Sequence, residues 1–278
     1  MRLRLRIFGR KRRPSMVVFG EHGSMPAAWG AEFGWLRDVS PAAWIGPRLH
    51  PFGQDIGSVI PGGFGAYARL FHPVGVDESR RERWSEVAAR TGRIVHPEMQ
   101  FHMIAAPRGQ TRSVDYNRRN QPRMGTLHLG HRRILVDHLR KATTTPDRCW
   151  FAMWEGFGGL NDGGVRERLH LPSRNYLLYS GTIDRALETP MDPFPFDQSP
   201  NLWWPEDRAW FVATEIDFDS TFVGGDKGLI AELVTDERLE ALPITLSAKA
   251  DSAADCVNSA LNARQKDGPV VDPTTGPE

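Results

Sequence analysis

Nowhere does this chain keep one apolar period for long before a glycine or proline interrupts it; 27 glycines and 21 prolines are spread over 278 residues. Glycine ends regular structure through its backbone freedom and proline through its missing N–H. Coiled coils, collagen and long-helix architectures are thereby excluded, and a fold of short elements remains. Short strands interleaved irregularly with short helices imply an α+β fold, with a mixed, largely antiparallel sheet and short helices packed on it. A doubly wound parallel sheet would require regular alternation of strand and longer helix. With 40% apolar and 25% charged residues the chain can bury a core. No stretch approaches the ~18 consecutive apolar residues of a membrane span, so no membrane partner is expected.

Residues 1–15 read as a basic arm expected to be disordered, with Met16 as an alternative beginning. Residues 16–264 read as a single α+β domain, with two lobes divided near 105–126 as the alternative. The polar tail 265–278 is expected to be disordered. No apolar segment with a small-residue cleavage site follows the basic start, so a cytoplasmic protein is expected. Cys149 and Cys256 are too few and too far apart for a zinc knuckle or a disulfide framework.

Within the domain the patterns predict helices over 78–91, 130–141, 226–233 and 251–264, and a short one over 182–187. Strands are predicted over 56–60, 93–104, 149–154, 165–171, 176–179 and 209–217. Residues 64–71 fit both periods, and 190–205 reads as a proline-rich crossing. The net charge of +1 hides an asymmetry: residues 1–141 hold 24 Lys+Arg against 11 Asp+Glu, and residues 142–278 hold 11 against 23. Mutual attraction of the two halves on folding is the favoured reading of that split.

Three constellations carry candidate chemistry. Trp210–Thr221, an apolar run closing on Asp217-x-Asp219-x-Thr221, resembles the first motif of haloacid-dehalogenase-type phosphatases. That resemblance implies Asp217 as nucleophile and Asp219 as acid/base beside magnesium. Only 57 residues follow Thr221, too few for the βα units that carry the later motifs, so the phosphatase reading is set aside. Read from the residues, Glu215, Asp217 and Asp219 share one face of a strand and need arginines, a cation or solvent to offset their repulsion.

The second constellation is His96, Glu98 and His102, which period-two alternation places on one strand face with Gln100. They are metal ligands by type. Yet a straight strand sets His96 and His102 roughly 20 Å apart at ~3.3 Å per residue, so a half-exposed polar face is the better reading. His128 and His131, three apart at a helix start, read as a solvated pair. The third constellation is aromatic: Trp154 with Phe157, and Trp203 with Trp204, offer a platform for a ring or peptide, against the alternative that they fill the core.

The run Ser199–Trp210, with its Trp203-Trp204-Pro205 core, and the Ile216-Asp217-Phe218-Asp219-Ser220-Thr221 segment resemble a family of uncharacterised actinobacterial proteins. That implies a soluble cytoplasmic protein and no particular activity. Ile60-Pro61-Gly62-Gly63-Phe64 is similar to a segment of SUKH-type immunity and regulatory proteins, which are Trp-rich α+β binding modules. The expected function is therefore a cytoplasmic non-enzymatic binding module. It takes a protein or small-molecule ligand on its Trp-rich, acidic C-terminal half through Trp154, Phe157, Trp203, Trp204, Glu215, Asp217 and Asp219. The alternative is a metal-dependent hydrolase or phosphoryl-transfer enzyme using Glu215, Asp217 and Asp219. A third reading is nucleic-acid binding through the basic N-terminal half and the arginine-rich loop at 108–123. No cofactor is predicted; a divalent metal is the alternative, with His96, Glu98 and His102 as its candidate ligands.

Overall fold

Of the ambiguous apolar stretch at 64–71, residues 66–71 settle as a strand, paired along both edges by segments far along the chain. In the computed structural model, residues 33–266 are described apart from 54, 76–80, 107–120, 158–159, 173, 190–196 and 250. The expected arm and most of the expected tail, arginine-rich loop and lobe boundary lie outside them. In chain order come β1 (Ala66–Phe71), α1 (Trp84–Thr91), α2 (Phe101–Ile104), α3 (Leu129–Lys141), β2 (Cys149–Trp154), β3 (Leu169–Leu171) and β4 (Arg174–Gly181). Then follow β5 (Leu202–Pro205), β6 (Phe211–Ala213), β7 (Ser220–Gly225), α4 (Lys227–Thr235), β8 (Ala241–Ile244) and α5 (Cys256–Lys266).

The eight strands form one sheet in the order β3-β4-β2-β5-β6-β7-β1-β8. Every pairing in it is antiparallel, so the fold is α+β without a parallel pair among the described strands. Alternation along each strand divides the core in two. Leu70, Phe151, Tyr179, Trp203 and Val212 pack under α3 and α4 through Leu135, Leu139, Leu229 and Leu233. Tyr67, Leu178, Trp204, Phe211 and Phe222 face the other way, onto Ala42, Ile45, Ile56 and Ile60. Those four come from a segment of 3-10 turns, at Ser40–Ala42, Gly46–Arg48 and Ile56–Ser58. A third cluster, with Phe71, Trp84, Val87, Met99, Phe101 and Ile104, sits past the end of β1.

Several expected elements changed shape. Residues 93–104 are not a strand: they turn and then form α2. Pro97 has no N–H for a ladder, and Phe101, Ile104 and Ala105 are buried at helical spacing. The strand expected over 209–217 stops at Ala213, because the Phe218 N–H bonds back to the Glu215 carbonyl at 3.1 Å and reverses the chain into β7. Residues 56–60 wind as a 3-10 turn instead of extending; a Cβ at Gly57 would meet the His50 ring at 2.4 Å, so glycine permits that close approach. β5, β7 and β8 were not anticipated. The helices at 130–141 and 226–233 were, the second capped by Asp226, whose Oδ1 accepts the Leu229 N–H at 2.7 Å. No helix among the described residues is long and apolar enough to cross a membrane.

Candidate functional site

Polar side chains collect at one end of the sheet, on the α3 side. His72 follows β1, Thr221 lies in β7, Thr214 follows β6 and Asn201 precedes β5; all four are buried. They are in register because β1 pairs with β7, β7 with β6 and β6 with β5. His72 Nε2 is 2.8 Å from Thr221 Oγ1, which is 2.8 Å from Thr214 Oγ1. The Thr214 N–H donates to the Asn201 carbonyl at 2.7 Å, and Asn201 Nδ2 returns a bond to the Thr214 carbonyl at 3.0 Å. Burial pushes the His72 imidazole down to about 3, with the charges of His131, Arg69 and Arg123 acting the same way, against the pull of the Arg123 carbonyl. A polar row that is hydrogen-bonded throughout is stable inside a core.

Beside that row stands the start of α3. His128 caps it, Nδ1 accepting the Gly130 N–H at 3.0 Å, and its Nε2 lies against the Arg81 guanidinium. His131, one turn on, is pushed down to about 4 by burial first and then by Arg81, His128 and Arg83. Arg132 is fully buried; its Nη1 donates to the Ala186 carbonyl at 2.8 Å and its Nη2 pairs with Asp197. Arg123 also reaches the Asp197 backbone carbonyl, at 3.3 Å. Burial lowers the Arg123 guanidinium from its usual range; Asp197 opposes that shift, and Arg132 and Arg81 add to it. Arg81, Arg123, His128 and His131 are half-buried, so this basic group opens to solvent. The positive end of a thirteen-residue helix dipole, with Arg81 and Arg123 beside it, is suited to hold an anion.

The residues anticipated from sequence fall elsewhere. Trp203 and Trp204 are each 1% exposed and point into opposite faces of the core, where their area stabilises the sheet. Trp154 and Phe157 are half-buried and meet edge to face at 5.2 Å. Arg174 lies 6.0 Å from the Trp154 ring and pairs with Glu215 at 3.0 Å and Asp217 at 2.8 Å. Asp219 instead faces Arg69, at 3.8 Å, so the three carboxylates are divided between two arginines. Burial raises the Asp219 carboxyl above its usual range despite that neighbour.

His96, Glu98 and His102 are likewise separated by task. His96 Nε2 bonds to buried Asp255 at 2.8 Å, Glu98 accepts the Lys249 N–H at 2.8 Å, and His102 is exposed. Among the described residues no group of three or more His, Cys, Asp or Glu is placed to hold a metal ion. Of the arginine-rich loop, Arg123 is the described member.

The sequence singles out His128 and His131 and offers Thr221 only as the close of the Asp-x-Asp-x-Thr run; His72 and Thr214 carry no motif. Their signal was a polar residue closing an apolar strand, as in Leu70-Phe71-His72 and Val212-Ala213-Thr214. No family model, curated protein or solved structure matches this chain.

Proposed function

We propose that the protein is a binding module for a small anionic ligand bearing a phosphate, sulfate or carboxylate group, held at the start of α3. The observation that carries this reading is the gathering of Arg81, Arg123, His128, His131 and Arg132 around one helix N-terminus, partly open to solvent. Like charges so close repel, and an anion among them turns repulsion into attraction. The Trp154–Arg174–Glu215 surface is already internally paired, which favours the basic end over the acidic half as the locus.

Calorimetric titration with inorganic phosphate and with sulfate, at fixed ionic strength, tests this. Saturable binding is expected, weakened at least tenfold in Arg81→Gln and reduced by added chloride. Binding that is absent for both anions, or indifferent to Arg81→Gln, rules the reading out.

A further inference from the structure

At the opposite end of β5 and β6, on the opposite face of the sheet, the two strands are joined by Glu206-Asp207-Arg208-Ala209-Trp210. Arg208 has φ 55°, and no other non-glycine residue among those described has a positive φ. The left-handed region costs a branched or long residue roughly 1–2 kcal/mol, and glycine is the usual occupant of such a position. The turn is held without the Arg208 side chain. Its backbone N–H reaches the Pro205 carbonyl at 2.9 Å, while the Asp207 carboxylate takes the Thr143 and Thr144 hydroxyls and the Ala209 N–H. An arginine is thus kept where the backbone favours glycine.

That arginine borders a cavity of about 250 Å³ lined by Ser40, Pro41, Trp150, Trp204, Glu206 and Arg208. Trp204 is its buried floor, and Trp150, paired with Trp204 across β2 and β5, is a half-exposed indole wall. The exposed Arg208 guanidinium lies 5.2 Å from the Trp44 ring centroid. Among the described residues no protein acceptor bonds to it, so its fork of donors is available at the rim. Glu206, the acid of the rim, is occupied by Arg148 at 2.6 Å.

We infer that this cavity binds a planar aromatic carboxylate, its ring against Trp150 and its carboxylate in the fork of Arg208. Stacking on an indole and bidentate pairing to a guanidinium are complementary to those two halves of one molecule. The volume exceeds the roughly 150 Å³ that admits benzene and falls below the roughly 300–1,000 Å³ of drug-sized sites, so the ligand has one or two rings. This site shares no residue with the basic end of the sheet and stands whether or not that end binds anions.

The probes are 2-naphthoate, its neutral counterpart 2-naphthylmethanol, and acetate, followed by calorimetry and by the Trp150 indole N–H resonance. Saturable binding of 2-naphthoate that shifts this resonance is expected, with the alcohol and acetate at least tenfold weaker. Arg208→Gly should lose at least tenfold in affinity, read at the Trp150 resonance, while its thermal midpoint holds or rises. Should Arg208→Gly fail to fold, Arg208→Asn, which also tolerates the left-handed backbone, carries the same comparison. No saturable response to 2-naphthoate at the Trp150 resonance, equal binding of the alcohol there, or retained affinity in the Arg208 variant each overturns the inference.

Discussion

His72 Nδ1 lies 2.6 Å from the Arg123 carbonyl oxygen while Nε2 lies 2.8 Å from Thr221 Oγ1. A carbonyl only accepts, so the ring proton sits on Nδ1 and Thr221 must donate to Nε2. The Thr221 hydroxyl proton being committed, Thr214 donates to Thr221 across 2.8 Å. The sheet end therefore carries one directed chain of hydrogen bonds from Thr214 to the Arg123 backbone. Protonating His72 on Nε2 would set two donors against each other.

Acid should unfold the protein through His72. The unfolded imidazole titrates near 6.5 and the folded one near 3, so between those values the unfolded chain binds the extra proton. The stabilisation is whole above about 6.5 and is lost as pH falls toward 3, an effect on the order of several kcal/mol. Urea denaturation from pH 7 to 4 should show the decline, and His72→Gln should flatten it while costing about 1–2 kcal/mol at pH 7. An unchanged pH slope in the variant would remove His72 as the cause.

Thr221→Val should cost about 1–3 kcal/mol, because it leaves both His72 Nε2 and Thr214 Oγ1 without their partner in a buried site. Adding Thr214→Val should cost little more, since it removes a group the first change had already orphaned. A double-mutant cycle by chemical denaturation gives the coupling; simple additivity would contradict the directed chain.

Arg69 joins the sheet to the third hydrophobic cluster. Its Nε donates to Ser220 Oγ at 2.9 Å, its Nη1 reaches the Pro97 and Met99 carbonyls at 2.8 and 2.9 Å, and its plane lies over Phe71 at 4.7 Å. Arg69→Met should cost roughly 3–5 kcal/mol. Asp219→Asn should cost under about 1 kcal/mol, because burial already opposes the Asp219 charge. Equal losses in the two variants would mean that the ion pair, and not the hydrogen bonding of Arg69, holds the junction.

Sulfate binding at the start of α3 should take up a proton. Empty, His131 is held down to about 4 by burial and by Arg81, His128 and Arg83; an anion beside it reverses the local field and raises it. A base whose affinity for protons rises on binding makes binding tighter as pH falls toward about 4, where the empty site takes up the proton itself. Sulfate keeps its charge across that window, so calorimetry in two buffers of different ionisation heat counts the proton directly. His131→Gln should abolish the uptake.

The elements legible in the sequence were those with a local cause. The period at Ile134, Leu135, His138 and Leu139 marked α3, of which Leu135 and Leu139 are buried, and the helix expected from Asp226 is α4 with Asp226 as its cap. The false strand at 93–104 arose because His96, Glu98, Gln100 and His102 alternate as well as any strand; Pro97 and the packing of Phe101 and Ile104 with Trp84 decide against it. Trp203 and Trp204 look like a platform because they are adjacent in sequence, but neighbouring residues in a strand point to opposite faces, and both faces here are covered. The polar row was hidden for another reason: His72 and Thr221 are 149 residues apart, and their meeting depends on the β1–β7 register.

That same register sets the timetable of folding during synthesis. β1 emerges early, yet its ladder partners are Ser220–Gly225 on one side and Ala241–Ile244 on the other. At about 5–20 residues per second, the stretch from Phe71 to Gly225 takes roughly 8–30 s to translate. For that interval Tyr67, Leu70 and Phe71 have no strand to pair with on either edge. A half-made chain therefore presents a sticky, unpaired segment to the ribosome's surroundings, and the sheet closes only when its last third has arrived.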